Sequence, residues 1–105
     1  MSTIKEIRIA SGMTQQAFSD YLEIPKRTIE NWESGTNKCP EYVVKLIRDK
    51  MQSRRHQLVE RLLKDGVNLA LVNKMTVQEM EKAASYDDYD DYNDYLTHLA
   101  HVYDI

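Results

Sequence analysis

The sequence predicts an all-α fold, and three observations carry it. Apolar residues recur at intervals of three and four along most of the chain, helix-capping signals cut that pattern into segments, and the punctuation between segments is helical throughout. At 105 residues the chain suffices for one modest domain, or a small domain with an extension. Its core is thin without a partner, so an obligate dimer is expected.

The elements follow in order. "STIKEI" predicts a capping box with Thr3 as N-cap and Glu6 three residues on, ahead of Ile4 and Ile7. Gly12 ends this first helix, since a left-handed C-cap suits a residue without Cβ. Thr14 caps a second helix whose Ala17, Phe18, Tyr21 and Leu22 share a face. Only Glu23 and Ile24 separate Leu22 from Pro25, which opens a third helix running to about Glu33 and stopping at Ser34-Gly35. A fourth begins at "CPEY", with Val43, Val44, Leu46, Ile47 and Met51 as its expected buried face. The apolar spacing continues to Leu63, predicting one long helix or two with a bend near Gln52, closing at Asp65-Gly66. Thr76 and Glu79 form a second capping box, for a helix over about residues 76–85. Tyr89, Tyr92, Leu96, Leu99 and Tyr103 then repeat at 3, 4, 3, 4, the seam of a packed helix that covers a core, dimerises or binds a partner.

Charge divides the chain. Residues 1–66 hold 12 Lys or Arg against 9 Asp or Glu, whereas residues 67–105 hold 2 against 8. The front part could approach a polyanion, and the acidic extension would be repelled by one or imitate one. The expected organisation is therefore a domain over 1–66 and an acidic helical extension over 67–105. Five aspartates, Asp87, Asp88, Asp90, Asp91 and Asp94, lie on the flanks of the last helix, where their repulsion would resist an isolated helix.

The second and third helices are about two turns each, too short to be stable alone. They need the first and fourth to bury Phe18, Leu22, Ile29 and Trp32. The third leaves a polar side bare, with Lys26, Arg27, Thr28, Glu30 and Asn31. That is the requirement for a helix-turn-helix reader of double-stranded DNA, whose second helix enters the major groove. Lys26 and Arg27 suit the guanine acceptors O6 and N7, and Asn31 offers the donor and acceptor pair that adenine needs. Glu30 can accept from cytosine N4 or tie down Lys26 four residues away, the latter being the commoner use of such a pair. Gln15 and Gln16 lie at a helix N-terminus, where free N–H groups attract phosphate. Trp32 shares its face with Ile29 and is expected in the core.

The stretch "MTQQAFSDYLEIPKRTIENWESGTNKCPEYV", with Arg8 upstream, resembles the DNA-binding domain of the XRE family, the phage lambda repressor and Cro group, over about residues 3–50. The resemblance implies a lambda repressor-like fold. It also implies that Gln15 braces the DNA backbone, that Lys26, Arg27 and Asn31 face bases, and that Arg8 pairs with Glu33 and helps hold a phosphate. Many members have glycine in the turn and alanine in helix two, where this chain has Glu23 and Ser19. Glu23 tolerates a left-handed turn poorly, so a distorted turn is expected there, with a slight loss of packing at Ser19. Lys38 stands alone where some relatives carry a basic minor-groove arm.

Other chemistry finds little support. The lone Cys39 cannot form an internal disulfide, and no signal peptide or membrane-spanning run is present, so a reducing, cytoplasmic location is expected. His98 and His101 lack a zinc-site pattern, "DDYDDYND" lacks the glycine and terminal glutamate of a calcium loop, and no phosphate-binding glycine loop occurs. No cofactor and no catalysis are assigned. The expected function is a dimeric DNA-binding regulator, repressing a promoter that is often its own in this family. The alternative is an antitoxin or mobile-element inhibitor whose acidic segment docks a basic partner, a toxin or a nuclease. The basic cluster Arg54, Arg55 and His56 could touch flanking phosphates or pair with the acidic segment.

Overall fold

The computed structural model describes residues 3–105, and the described residues form α1 (Thr3–Ala10), α2 (Gln15–Leu22), α3 (Lys26–Ser34), α4 (Glu41–Lys64), α5 (Leu69–Lys74), α6 (Val77–Ala84) and α7 (Tyr89–Val102). No helix among them is long and apolar enough to cross a membrane. The chain makes two compact units, one ending at Gln52 and the other running from Ser53 to Ile105. Their division falls inside α4, at the position where the sequence allowed a bend, and the helix itself is continuous.

In the first unit Ile4, Met13, Phe18, Ile29, Ile47 and Met51 are buried, and α3 packs against both α1 and α2. These are the apolar faces that short helices need to bury in order to persist. Thr14 caps α2 as expected, its hydroxyl accepting from the Ala17 N–H at 3.1 Å. Thr3 is the first residue of α1 and makes no capping bond, and the position before it lies outside the described residues. Gly12 takes φ 76° and ends the turn after α1. Two apolar expectations are corrected. Leu46 is 62% exposed, because it lies about 100° around the helix from Ile47 and so leaves the stripe formed by Val43, Val44, Ile47 and Met51. Trp32 is half-buried, lining a groove with Ile4 and Val44 rather than filling the core.

The turn between α2 and α3 is formed, not distorted. Glu23 adopts the left-handed conformation, φ 56° and ψ 39°, at the position where glycine would be free of strain. Ser19 compensates. Its carbonyl accepts from the N–H groups of Glu23 and Ile24, and its buried hydroxyl donates to the Ile24 carbonyl at 2.6 Å. The two departures from the family pattern therefore act together: the serine ties both ends of the strained turn. Glu23→Gly should stabilise the protein by roughly 0.5–1 kcal/mol, and Ser19→Ala should destabilise it by about 1 kcal/mol. Urea midpoints at constant slope check both.

In the second unit Leu58, Leu62, Leu71, Val72, Met75, Val77, Met80, Ala83, Leu96 and Leu99 are buried. The capping box of α6 is complete: Thr76 Oγ1 accepts from the Glu79 N–H at 3.2 Å, and Glu79 Oε1 accepts from the Thr76 N–H at 2.9 Å. The short α5 was not anticipated. Its signal is Asn68, whose side chain accepts from the Ala70 N–H at 2.8 Å, followed by the buried Leu71 and Val72. The two arginines of the basic cluster turn toward their own unit: Arg54 pairs with Glu81, and Arg55 donates to the Met75 carbonyl at 2.7 Å, whereas His56 stays exposed. His56 pairs with Glu60 one turn on.

The last helix belongs to this core. Leu96 and Leu99 are buried, Tyr92 donates to Asp65 at 3.2 Å and Tyr103 to Glu79 at 2.5 Å, whereas Tyr89 is 75% exposed. The repulsion expected among the aspartates is offset by their position. Asp88 is the N-cap, accepting from the N–H groups of Asp90 and Asp91, which lie in the first turn where the helix dipole favours negative charge. Burial and the Asp65 carboxylate push the Tyr92 hydroxyl up to about 12, and the Glu79 hydrogen bond followed by burial does the same for Tyr103. A phenol raised in the folded state holds its proton longer there than in the unfolded chain. Its stabilising contribution is complete below the ordinary value near 10 and is lost as pH rises toward 12. Burial raises Tyr95 as well, so an absorbance titration should show three of the seven tyrosines ionising late, together with helix loss.

Candidate nucleic-acid interface

The recognition surface is built from the inside of α3 outward. On the inner side, Ile29 is fully buried and the Glu33 side chain is 5% exposed. The guanidinium of Arg8 meets Glu33 bidentately, Nε to Oε2 at 2.7 Å and Nη2 to Oε1 at 3.0 Å, and its Nη1 donates to the Met13 carbonyl at 3.0 Å. Gln15 completes the network by donating Nε2 to Glu33 Oε1 at 3.2 Å. One carboxylate thus joins α1, the start of α2 and the end of α3. Burial pushes the Glu33 carboxyl up, but the bonds from Arg8 and Gln15 outweigh it and hold it below the usual glutamate range. The bond to Glu33 outweighs burial at Arg8 and raises its guanidinium.

On the outer side, Lys26, Arg27 and Glu30 are exposed, and Thr28 and Asn31 are half-exposed. Pro25 takes the N-cap position with no side-chain cap, and its carbonyl accepts from Thr28 at 2.9 Å. Gly35, φ 84°, stops the helix. The expected tie between Lys26 and Glu30 is not made, so Glu30 remains uncompensated on the open face; among the described residues its neighbour in charge, Glu33, is the acid of α3 that is paired.

The other candidates divide between surface and interior. Gln16 is exposed at the start of α2 and donates to Asp20 at 2.9 Å, and Lys38 is exposed in the loop before α4. Arg8 and Gln15 are partly buried and spend their donors on Glu33 and Met13. The bond from Gln15 to Glu33 was missed in the sequence because it joins residues 18 positions apart with no local signature. Cys39 is half-buried, and burial pushes its thiol up, away from nucleophilic use. Of the seam residues, Leu96 and Leu99 are buried within their own unit and Tyr89 faces outward.

A short helix with Lys26 and Arg27 exposed, following a tight, pinned turn, is the arrangement of a helix-turn-helix motif. Residues 4–49 match the helix-turn-helix family model HTH_3, and this segment is an XRE-type helix-turn-helix domain. That domain supports a DNA-binding transcription regulator of the XRE type. No curated protein and no solved structure matches the chain.

Proposed function

We propose that the protein is a sequence-specific repressor that binds a two-fold symmetric DNA site as a homodimer, its own promoter among its targets. The observation that carries this reading is the open face of α3, where Lys26 and Arg27 stand exposed while the opposite side is locked by the Glu33 network. In this reading Lys26, Arg27, Thr28 and Asn31 meet base edges. Gln16 and Lys38 meet phosphates, and Arg8 and Gln15 act mainly by holding α2 and α3 in register. Selection from a random-sequence DNA library should return a pseudo-palindrome with half-sites about 34 Å apart, bound by a dimer. Sedimentation showing a monomer both alone and on the selected DNA at micromolar concentration would rule out the dimeric form.

A second reading, an antitoxin or inhibitor that docks a basic toxin or nuclease, is favoured by one surface. Tyr89 projects from the start of α7 beside exposed Asp87, Asp90 and Asp91. Deleting the segment would be a poor test, since it removes Leu96 and Leu99 from the core. Replacing Asp87, Asp90 and Asp91 with Asn, while keeping the Asp88 cap, changes exposed side chains only and leaves the buried residues in place. Loss of a captured basic partner with DNA binding retained would support this role.

A further inference from the structure

We propose that Glu30 is a specificity-determining residue that selects cytosine in the DNA site; the proposal rests on the DNA-reading function of α3. Three observations lead to it. Glu30 is exposed, it makes no hydrogen bond or ion pair within the described structure, and it lies inside the basic arc of α3. Successive helical residues step by about 100°, which puts Glu30 roughly 40° from Lys26 and about 60° from Arg27. Any approach that brings both cations to base edges brings this carboxylate with them. Glu33 on the same helix is neutralised by Arg8, so the contrast between the two acids is built into the fold.

A bare carboxylate in a groove walled by phosphates is repelled unless it meets a donor. In the major groove the base donors are cytosine N4 and adenine N6, and adenine sets its N7 acceptor beside the donor. Cytosine presents N4 without an acceptor of its own next to it. Guanine and thymine oppose the carboxylate with acceptors. Glu30 therefore lowers affinity for DNA in general and restores it at one base, a way of gaining specificity by penalising wrong sequences.

The test measures binding of the full-length wild type, Glu30→Gln and Glu30→Ala to the selected site, to its four-base variants at each position, and to random DNA at two salt concentrations. The wild type should favour cytosine at one position by roughly fivefold or more. Glu30→Ala should level that position alone and strengthen binding to random DNA, most at low salt. Glu30→Gln should move the preference toward adenine, whose N6 and N7 suit an amide, a change that altered folding would not produce. If all positional preferences survive in both variants and only general affinity rises, Glu30 is a repulsive surface charge and the assignment is overturned. If the wild type has no preferred site at all, the base-reading function fails and this assignment with it. Preferred binding with no cytosine-selective position overturns the assignment alone.

Discussion

Replacing Glu33 with Ala should destabilise the first compact unit by about 3–5 kcal/mol, the magnitude expected when one partner of a buried ion pair is removed and the other remains. Glu33 is 5% exposed and accepts from both Arg8 and Gln15, so its loss strands a guanidinium and an amide at once. The double variant Arg8→Met, Glu33→Leu should recover much of the loss, because no charge is then left unpaired. A single-variant effect below about 1 kcal/mol in urea unfolding would show a surface-like pair instead. The pH dependence has a defined sign. Because the folded state holds the Glu33 carboxyl below its ordinary value, its contribution is complete above the ordinary glutamate pKa and is lost as pH falls through the lowered folded value. Acid unfolding of Glu33→Gln should accordingly be flatter across that interval than that of the wild type.

That network also shows where sequence reading succeeds and where it stops. Local signals were legible because their physics is local: Thr14, the Thr76–Glu79 capping box, and Gly12 each act within about one turn of their own position. The pairing of Arg8 with Glu33 was available only through family resemblance, since the two lie 25 positions apart with no local signature joining them. The exposed face of α3 followed from the apolar spacing that buries Ile29. Two failures have different causes. Tyr89 fits an apolar period, but a period says which residues share a face and not where the covering partner ends, whereas Leu46 is apolar yet lies off the stripe of α4 and so falls outside the buried face. Ser19 failed for a different reason: as an isolated small polar residue it reads as a weaker alanine, and its value emerges only when the Ile24 carbonyl is within 2.6 Å. The family position of Glu23 suggested strain, and the strain is present, but the serine hydroxyl that holds the turn lies four residues earlier in the chain.

Arg27→Ala should weaken binding to the preferred DNA site by about 1–3 kcal/mol and relax the base preference at one position, while leaving stability nearly unchanged. The stability expectation follows from the structure: Arg27 is exposed and makes no bond within the described residues, so truncating it removes neither packing nor a buried partner. The binding expectation follows from chemistry, since a guanidinium can donate bidentately to guanine O6 and N7, whereas a phosphate contact would carry no sequence information. The two roles separate in one measurement. If Arg27 meets a base, affinity falls on the preferred site and much less on random DNA, with a nearly constant salt slope. If it meets phosphate, both affinities fall together and the slope of log K against log salt drops by about 1. Lys26 provides the internal comparison, because it is also exposed, one position earlier, and its single ammonium lacks the planar fork. Lys26→Ala should therefore cost less discrimination than Arg27→Ala, and Arg27→Lys should restore general affinity without restoring the base preference. Full rescue of that preference by lysine would show that charge alone, not bidentate geometry, serves at this position.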